Sequence, residues 1–141
     1  MIKFSSTKPP ITKAGLAEVE RVLGFAFPKA VREQYLKYNG GHPDKNRLLD
    51  AKGVYIVHDF IPVRMIERLI RWLKVDQKVL PGELVPFADD PLGNLYCFSV
   101  GEADSGAIYW FEAEGHGRHR LEFLAPSLDE FLSRLKGKGE Q

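Results

Sequence analysis

Three short apolar segments in the second half of the chain, residues 84–87, 95–100 and 107–112, most constrain its fold. They are joined by Asp- and Gly-containing connections at residues 88–94 and 101–106. Connections this short close hairpins, whereas parallel neighbours need a crossover of a dozen or more residues. We therefore predict three neighbouring antiparallel strands.

Two short helices are predicted before these strands. Thr12 can cap the first helix with its hydroxyl, and Gly24 ends it. Pro28 suits the first position of the second helix, because its missing N–H would be unpaired there in any case. The run Tyr38-Asn39-Gly40-Gly41 then supplies residues that adopt a left-handed stop at low cost. Residues 12–39 are thus predicted to form a helical hairpin.

Further patterns complete the predicted order of elements. A polar loop at residues 42–53 is followed by a β-branched strand at 54–58. A third helix begins after Pro62, with Ile66, Leu69, Ile70 and Leu73 facing inward. After a turn at Gly115-His116-Gly117 and a strand at 119–124, a closing helix at 127–136 begins with the capping box Ser127-Leu128-Asp129-Glu130.

Helices first, then an antiparallel meander and a closing helix, define an α+β fold. We expect an antiparallel or mixed sheet flanked by an N-terminal helical hairpin and a C-terminal helix, with one sheet face partly open. A chain of 141 residues fits one domain, spanning residues 1–141. Residues 1–10 and 137–141 are expected to be flexible ends.

Composition excludes several classes of protein. No apolar run approaches the roughly 20 residues that span a bilayer, and the first residues lack the apolar core of a secretory signal. Cys97 is the only cysteine, so neither a disulfide within the chain nor a cysteine-based zinc site can form. We expect a cytoplasmic protein without a membrane partner.

Catalytic, metal-binding and cofactor-binding patterns are not found either. No glycine cluster leads from a strand into a helix, which excludes phosphate cradles. His58 and Asp59 are neighbours in a predicted strand and should point to opposite faces. Cys97 alternates within an apolar strand and is interpreted as a small buried side chain. We predict no enzyme, cofactor or metal, and expect each histidine to tolerate alanine: His42, His58, His116 and His119.

Charge is distributed unevenly along the chain. Residues 1–78 carry a balance of +7, residues 79–117 hold seven carboxylates and no lysine or arginine, and residues 118–141 add +1. Two interpretations stay open: the segments pair across the fold, or the acidic segment forms an acidic surface. The second predicts a partner site at Asp89, Asp90, Glu102, Asp104 and Glu112, with Tyr96 and Trp110 contributing if they face outward rather than into the core.

A basic stripe on the predicted third helix is the strongest indication of nucleic-acid binding. Arg64, Arg68, Arg71 and Lys74 recur at helical spacing beside Trp72 and could follow phosphates. The same spacing is typical of the solvated face of an amphipathic helix. Since a net charge of +1 exerts little long-range attraction on a polyanion, nucleic acid is not the expected partner.

An ordered set of short motifs resembles the SUKH superfamily, the Smi/Knr-type domain. The motifs of the N-terminal part are Leu23-Gly24, Phe27-Pro28, Tyr35-Leu36 and Tyr38-Asn39-Gly40-Gly41. Those of the central part are Val85-Pro86-Phe87-Ala88-Asp89-Asp90, Gly93-Asn94 and Gly106-Ala107-Ile108-Tyr109-Trp110. The last motif is Ala125-Pro126-Ser127-Leu128-Asp129-Glu130-Phe131-Leu132.

The resemblance implies a non-enzymatic α+β binding domain. Bacterial members typically act as cytoplasmic immunity proteins that bind and neutralise a toxin domain, which here could be a nuclease. Fungal members are regulatory interaction proteins, so a module without a toxin partner is the alternative hypothesis. A small-molecule-binding protein or an enzyme is the remote one. The sequence leaves the identity of the toxin and the oligomeric state open.

Overall fold

The computed structural model of the chain describes residues 2–114 and 117–140. In these residues the α-helices are α1 (Lys13–Leu23), α2 (Lys29–Lys37), α3 (Ile66–Ile70) and α4 (Leu128–Ser133). The strands are β1 (Phe4–Ser5), β2 (His42–Pro43), β3 (Arg47–Asp50), β4 (Gly53–Ile56), β5 (Asp59–Phe60), β6 (Leu84–Asp89), β7 (Leu95–Ser99), β8 (Ile108–Phe111) and β9 (Leu121–Ala125).

The main sheet has five strands in the order β5-β6-β7-β8-β9, and every neighbouring pair is antiparallel. This confirms the predicted antiparallel neighbours β6, β7 and β8 and the α+β class. A register shift between Pro86 and Ala88 places a bulge in β6. Two small antiparallel sheets, β1-β2 and β3-β4, accompany the main sheet.

An aromatic core fills the face of the sheet beneath α2 and α4. Phe98 of β7 lies 5.4 Å, centroid to centroid, from Phe27, which precedes α2 by two residues. Phe87 of β6 meets Phe131 of α4 edge to face at 6.2 Å. All four rings are buried. Edge-to-face pairs of this kind stabilise a core by about 0.5–1.5 kcal/mol beyond their buried area.

The opposite face of the sheet is only partly covered. Ile66 of α3 and Leu73 are buried beside it, and Cys97 is completely buried there, where desolvation raises the pKa of its thiol. Farther along this face Phe123 of β9 stays 47% exposed against the ring of Tyr109. The buried Cys97 therefore acts as a structural apolar residue. The exposed part of this face is the open region expected for an antiparallel sheet.

Both ends of α1 follow the predicted capping. The Thr12 hydroxyl accepts a hydrogen bond from the Gly15 N–H at 3.0 Å, and Gly24 adopts a left-handed φ of 86°. Pro28 lies one residue outside α2 rather than at its first position. At the N-terminal end of α4, the Ser127 hydroxyl accepts a hydrogen bond from the Glu130 N–H at 3.2 Å, which confirms the forward half of the predicted capping box.

The two glycines after α2 have a role that the sequence did not predict. The helix ends at Lys37 and Tyr38 is extended, so Gly40 and Gly41 do not cap it. Both have positive φ, and a Cβ on Gly41 would lie 2.7 Å from the Ser5 carbonyl oxygen. They are needed because the β1 and β5 segments approach this backbone too closely for a side chain.

The prediction of a polar loop at residues 42–53 is wrong. These residues include β2, β3 and the first residue of β4, and Leu48 pairs with Tyr55 in the β3–β4 hairpin. Strands of two to four residues contain too few apolar positions for an alternation to be recognised. The strand predicted at 54–58 likewise shifts to Gly53–Ile56, and the one predicted at 119–124 shifts to Leu121–Ala125.

The third predicted helix is not regular. A 3-10 turn (Val63–Met65) leads into α3, and a π-helical segment (Arg71–Asp76) follows it. Of the four side chains predicted to face inward, Ile66 and Leu73 are buried, and Leu69 and Ile70 are half-buried. Hydrophobic periodicity over so few turns does not distinguish the hydrogen-bond patterns of these helix types.

The N-terminal segment contributes a strand that the sequence did not predict. β1 pairs with β2, and the Phe4 ring lies 4.8 Å from that of Tyr38 and 4.9 Å from that of Phe60. The predicted turn at Gly115-His116-Gly117 falls largely outside the described residues. Within the described part of the chain, no helix combines the length and apolar character needed to cross a membrane.

Candidate partner-binding site at the acidic end of the sheet

The structure divides the predicted site residues between opposite ends of the sheet. Asp89, Asp90 and Glu112 lie where β6 and β8 end and β7 begins, whereas Glu102 and Asp104 lie in the β7–β8 loop. The five residues of β7, at about 3.3 Å each, separate the two ends by about 16 Å. These carboxylates therefore do not form one continuous surface.

The first of these ends gathers five carboxylates, which we call the acidic end: Asp59, Asp89, Asp90, Glu112 and Glu114. Asp59 pairs with Asp89 between β5 and β6. The Glu114 N–H donates to the Asn94 side-chain oxygen at 3.2 Å, which holds residue 114 beside the β6–β7 turn. Sequence reasoning did not select Asp59 or Glu114, and only the strand register brings Asp59 here.

Across residues 2–114 and 117–140, lysine and arginine form no ion pair with a carboxylate of the acidic segment. Among the residues that the structure describes, the ion pairs of the carboxylates in residues 79–117 are confined to one, between Asp89 and His58 at 3.2 Å. Lysine and arginine pair instead with carboxylates elsewhere, as Lys52 does with Glu122. Of the two interpretations of the charge asymmetry, the structure favours an acidic surface.

Asp90 builds the turn that separates β6 from β7. Its carboxylate accepts hydrogen bonds from the backbone N–H groups of Leu92 at 2.9 Å and Asn94 at 2.8 Å, and from the Trp110 indole at 3.1 Å. This is the backbone-bonding role that Asp commonly has in turns. The turn is thereby fixed, and it presents Leu92, 78% exposed, at its tip.

Two histidines contact the carboxylates of β5 and β6. His58 Nδ1 lies 3.2 Å from Asp89 Oδ1 and 3.6 Å from Asp59 Oδ2, and His42 Nδ1 lies 3.4 Å from Asp59 Oδ1. The prediction that His58 and Asp59 point apart is wrong, because β5 begins at Asp59 and His58 precedes it. Among the described residues, no three His, Cys, Asp or Glu side chains are grouped to hold a metal ion.

The two candidate aromatic residues face the β3–β4 hairpin. Tyr96 is completely buried and donates its hydroxyl to the Ile56 carbonyl at 2.7 Å, and this burial raises the pKa of its phenol. Trp110 is 9% exposed, packs edge to face on Tyr55 at 5.8 Å, and lies under the Arg120 guanidinium at 5.2 Å. Tyr96 does not face outward, so its role is to anchor the hairpin.

At the opposite end of the sheet, Asp104 organises the β7–β8 loop. It accepts hydrogen bonds from the hydroxyls of Ser99 and Tyr109, each at 2.6 Å. These bonds hold the pKa of Asp104 below its usual value, and the bond to Asp104 is the main cause that raises the pKa of Tyr109 to about 12. Asp104 is thus occupied by loop contacts, while Glu102 beside it is exposed.

The predicted basic stripe is shorter than its spacing suggested. Arg64, Arg68 and Arg71 are exposed, but Lys74 is half-buried and donates to the Gly82 carbonyl at 2.8 Å. Burial also lowers the pKa of Lys74. The stripe therefore ends at Arg71, where the π-helical segment begins.

These features define an α+β domain whose polar side chains fix turns and carry an acidic surface. A family model described as the SMI1 / KNR4 family (SUKH-1) matches residues 10–134. The chain belongs to the SMI1/KNR4 family, and the resemblance noted in its sequence motifs is confirmed over most of its length. A search of curated proteins finds no match to the chain.

Proposed function

We propose that this chain is an immunity-type protein, which binds a toxin domain in the cytoplasm and neutralises it by protein–protein interaction without turnover. The observation that carries the proposal is the family match over residues 10–134, because the family resemblance implies a binding domain and, in bacteria, a toxin partner. The uneven charge distribution supports a partner with a basic surface, such as a nuclease domain that holds an anionic substrate.

The acidic end is the surface that we assign to this partner. Its carboxylates lack lysine or arginine counterions among the described residues, and the hydrogen bonds of Asp90 fix the turn at its centre. A fixed negative surface steers a basic partner, which raises the association rate by about 10- to 1,000-fold at low salt. The rate should then fall steeply as ionic strength rises.

The test takes the product of the gene beside that of this chain as the candidate toxin and measures its association rates with the chain by stopped-flow fluorescence. We expect Glu114→Lys, which reverses one exposed charge at the acidic end, to slow association several-fold at low ionic strength, with little effect at high ionic strength. Glu102→Lys is the matched control, since it reverses an exposed charge at the opposite end of the sheet. Asp90 is left unchanged because its substitution would disrupt the turn.

Two outcomes would contradict different parts of the proposal. If the unmodified chain forms no complex with the toxin domain, the immunity function is wrong. If a complex forms but Glu102→Lys slows association as much as Glu114→Lys does, net charge alone matters and the acidic end is not the binding surface. A stable complex with a host protein that lacks toxic activity would assign the chain to the regulatory class instead.

A further inference from the structure

A groove runs along one side of the acidic end, between the α3 segment and the sheet. Its volume is about 510 Å³. Met65, Leu69 and Trp72 line it on the helical side, and Leu95 and Ala113 line it on the side of the sheet. Met65 is 43% and Trp72 is 50% exposed, so the groove leaves large apolar side chains in contact with water. Burying such side chains against a partner is favourable because it removes apolar surface from water.

The rim of this groove is acidic. Of the described residues that line it, Asp59, Asp89 and Glu114 are acidic and Lys8 is basic. Because these carboxylates and the apolar side chains line the same groove, one occupant would meet both. An apolar centre with a charged rim is the usual anatomy of a protein interface, in which a buried anchor supplies most of the binding energy.

The helical wall of the groove has an irregular backbone. The Trp72 carbonyl accepts a hydrogen bond from the Gln77 N–H at 2.8 Å, five residues later, within the π-helical segment Arg71–Asp76. Single π-helical turns are rare in proteins overall, and those that do occur are often found at functional sites. The irregular turn begins immediately before Trp72, the most exposed of the groove's large apolar side chains.

We propose that this groove is the docking site for a protein segment that carries one aliphatic or aromatic side chain between lysines or arginines. The apolar side chain packs against Met65, Leu69 and Trp72, and the flanking cations pair with Asp59, Asp89 and Glu114. The inference rests on the proposed function only in assigning that segment to the toxin domain. The charge of the rim selects a basic occupant over an acidic one.

The direct test uses synthetic peptides rather than the toxin. The probe is a short peptide in which a central leucine is flanked by arginines, and its binding is followed by NMR shifts of the Met65 methyl and the Trp72 indole. One control peptide has serine in place of the leucine, and a second has glutamates in place of the arginines. We expect the leucine–arginine peptide to bind about tenfold more tightly than either control, which corresponds to about 1.4 kcal/mol.

A matched pair of variants locates the binding. Met65→Lys places a charge in the groove and should weaken binding of the leucine–arginine peptide about tenfold. Leu49→Lys makes the same kind of change at a side chain of similar exposure, 47%, on β3, and should leave binding unchanged. Thermal unfolding of both variants shows whether the fold is retained, and Leu69→Ser replaces Met65→Lys if that variant unfolds.

The results separate this inference from the proposed function. Equal binding of the leucine and serine peptides, or equal binding by the two variants, would overturn the groove as a docking site whether or not a toxin complex forms. Conversely, selective peptide binding that Met65→Lys abolishes would support the groove even if the neighbouring toxin domain does not bind. If Met65→Lys speeds the dissociation of a toxin complex and Leu49→Lys does not, the groove is part of the surface that binds the toxin.

Discussion

Asp90 and Asp104 show how individual carboxylates of the acidic segment are used. Each accepts several short hydrogen bonds and fixes a hairpin connection, Asp90 between β6 and β7 and Asp104 between β7 and β8. Neither can be reversed in charge without loss of those bonds. Glu114 and Glu102 are the better positions at which to vary surface charge, because both side chains are exposed and neither holds these two turns together.

At the residue scale we predict that Asp104→Asn destabilises the protein by about 1–2 kcal/mol. The amide retains one acceptor oxygen but turns a donor toward one of the two hydroxyls, from Ser99 and Tyr109. Chemical denaturation measures the change in the free energy of unfolding. Glu102→Gln is the control, since it removes the same charge from an exposed neighbour and should change stability little.

The pH dependence of this difference follows from the lowered pKa of Asp104. A carboxyl whose pKa is lower in the folded state stabilises the fold above its ordinary value of about 3.9, and this stabilisation is lost as pH falls through the folded value. The stability difference between the unmodified chain and Asp104→Asn should therefore be constant near neutrality and shrink in acid. A difference that grows in acid would contradict the assigned role of Asp104.

At the scale of elements, the N-terminal strand is the feature on which sequence and structure differ most. Phe4 of β1 packs between the rings of Tyr38 and Phe60, and β1 pairs with β2. The contacts join the first residues to the end of α2 and to β5. We therefore expect residues 1–10 to contribute to stability rather than to form a flexible lead-in.

We predict that Phe4→Ala lowers the free energy of unfolding by about 2 kcal/mol, below the cost for a fully buried phenylalanine because Phe4 is half-buried. Phe123→Ala is the matched control at an exposed position on β9 and should cost less than about 1 kcal/mol. Denaturant titration of the two variants gives the comparison. Equal costs would mean that the N-terminal segment is flexible, as the sequence alone suggested.

The elements that the sequence predicted correctly are those with several apolar residues and distinct ends. α1 has Thr12 and Gly24 at its ends, and β6, β7 and β8 are joined by short turns that allow only antiparallel pairing. β1, β2 and β3 were missed because they are two to four residues long, and β1 and β2 also depend on a partner that is distant in the sequence. Local sequence also cannot show that an α-helical pattern continues into the π-helical segment.

The candidate site was predictable only in part, for a similar reason. The run without basic residues drew attention to Asp89, Asp90 and Glu112, which share one end of the sheet. It also included Glu102 and Asp104, which the length of β7 carries to the other end. The place of Asp59 and the proximity of His42 and His58 depend on the position of β5 at the sheet edge, which no local pattern indicates.

At the scale of the whole molecule, the fold supports a rigid surface with chemistry suited to binding. An aromatic core joins the sheet to α2 and α4, and the acidic end projects from the strands of that sheet. Its charge suits a basic partner, and the adjoining groove offers that partner an apolar contact. Membership in the SMI1/KNR4 family supports a protein partner in general. The proposed toxin domain is the specific form of that partner.

The most direct test of the central proposal is the stoichiometry with which the chain inhibits its toxin. A fixed amount of the neighbouring toxin domain is titrated with the purified chain, and the remaining toxin activity is measured. Neutralisation by binding predicts that activity falls in proportion to added chain and is lost at about equal molar amounts, independent of incubation time. Complete inactivation by a small fraction of that amount would show turnover and contradict a binding mechanism, and full activity at excess chain would contradict the immunity function itself.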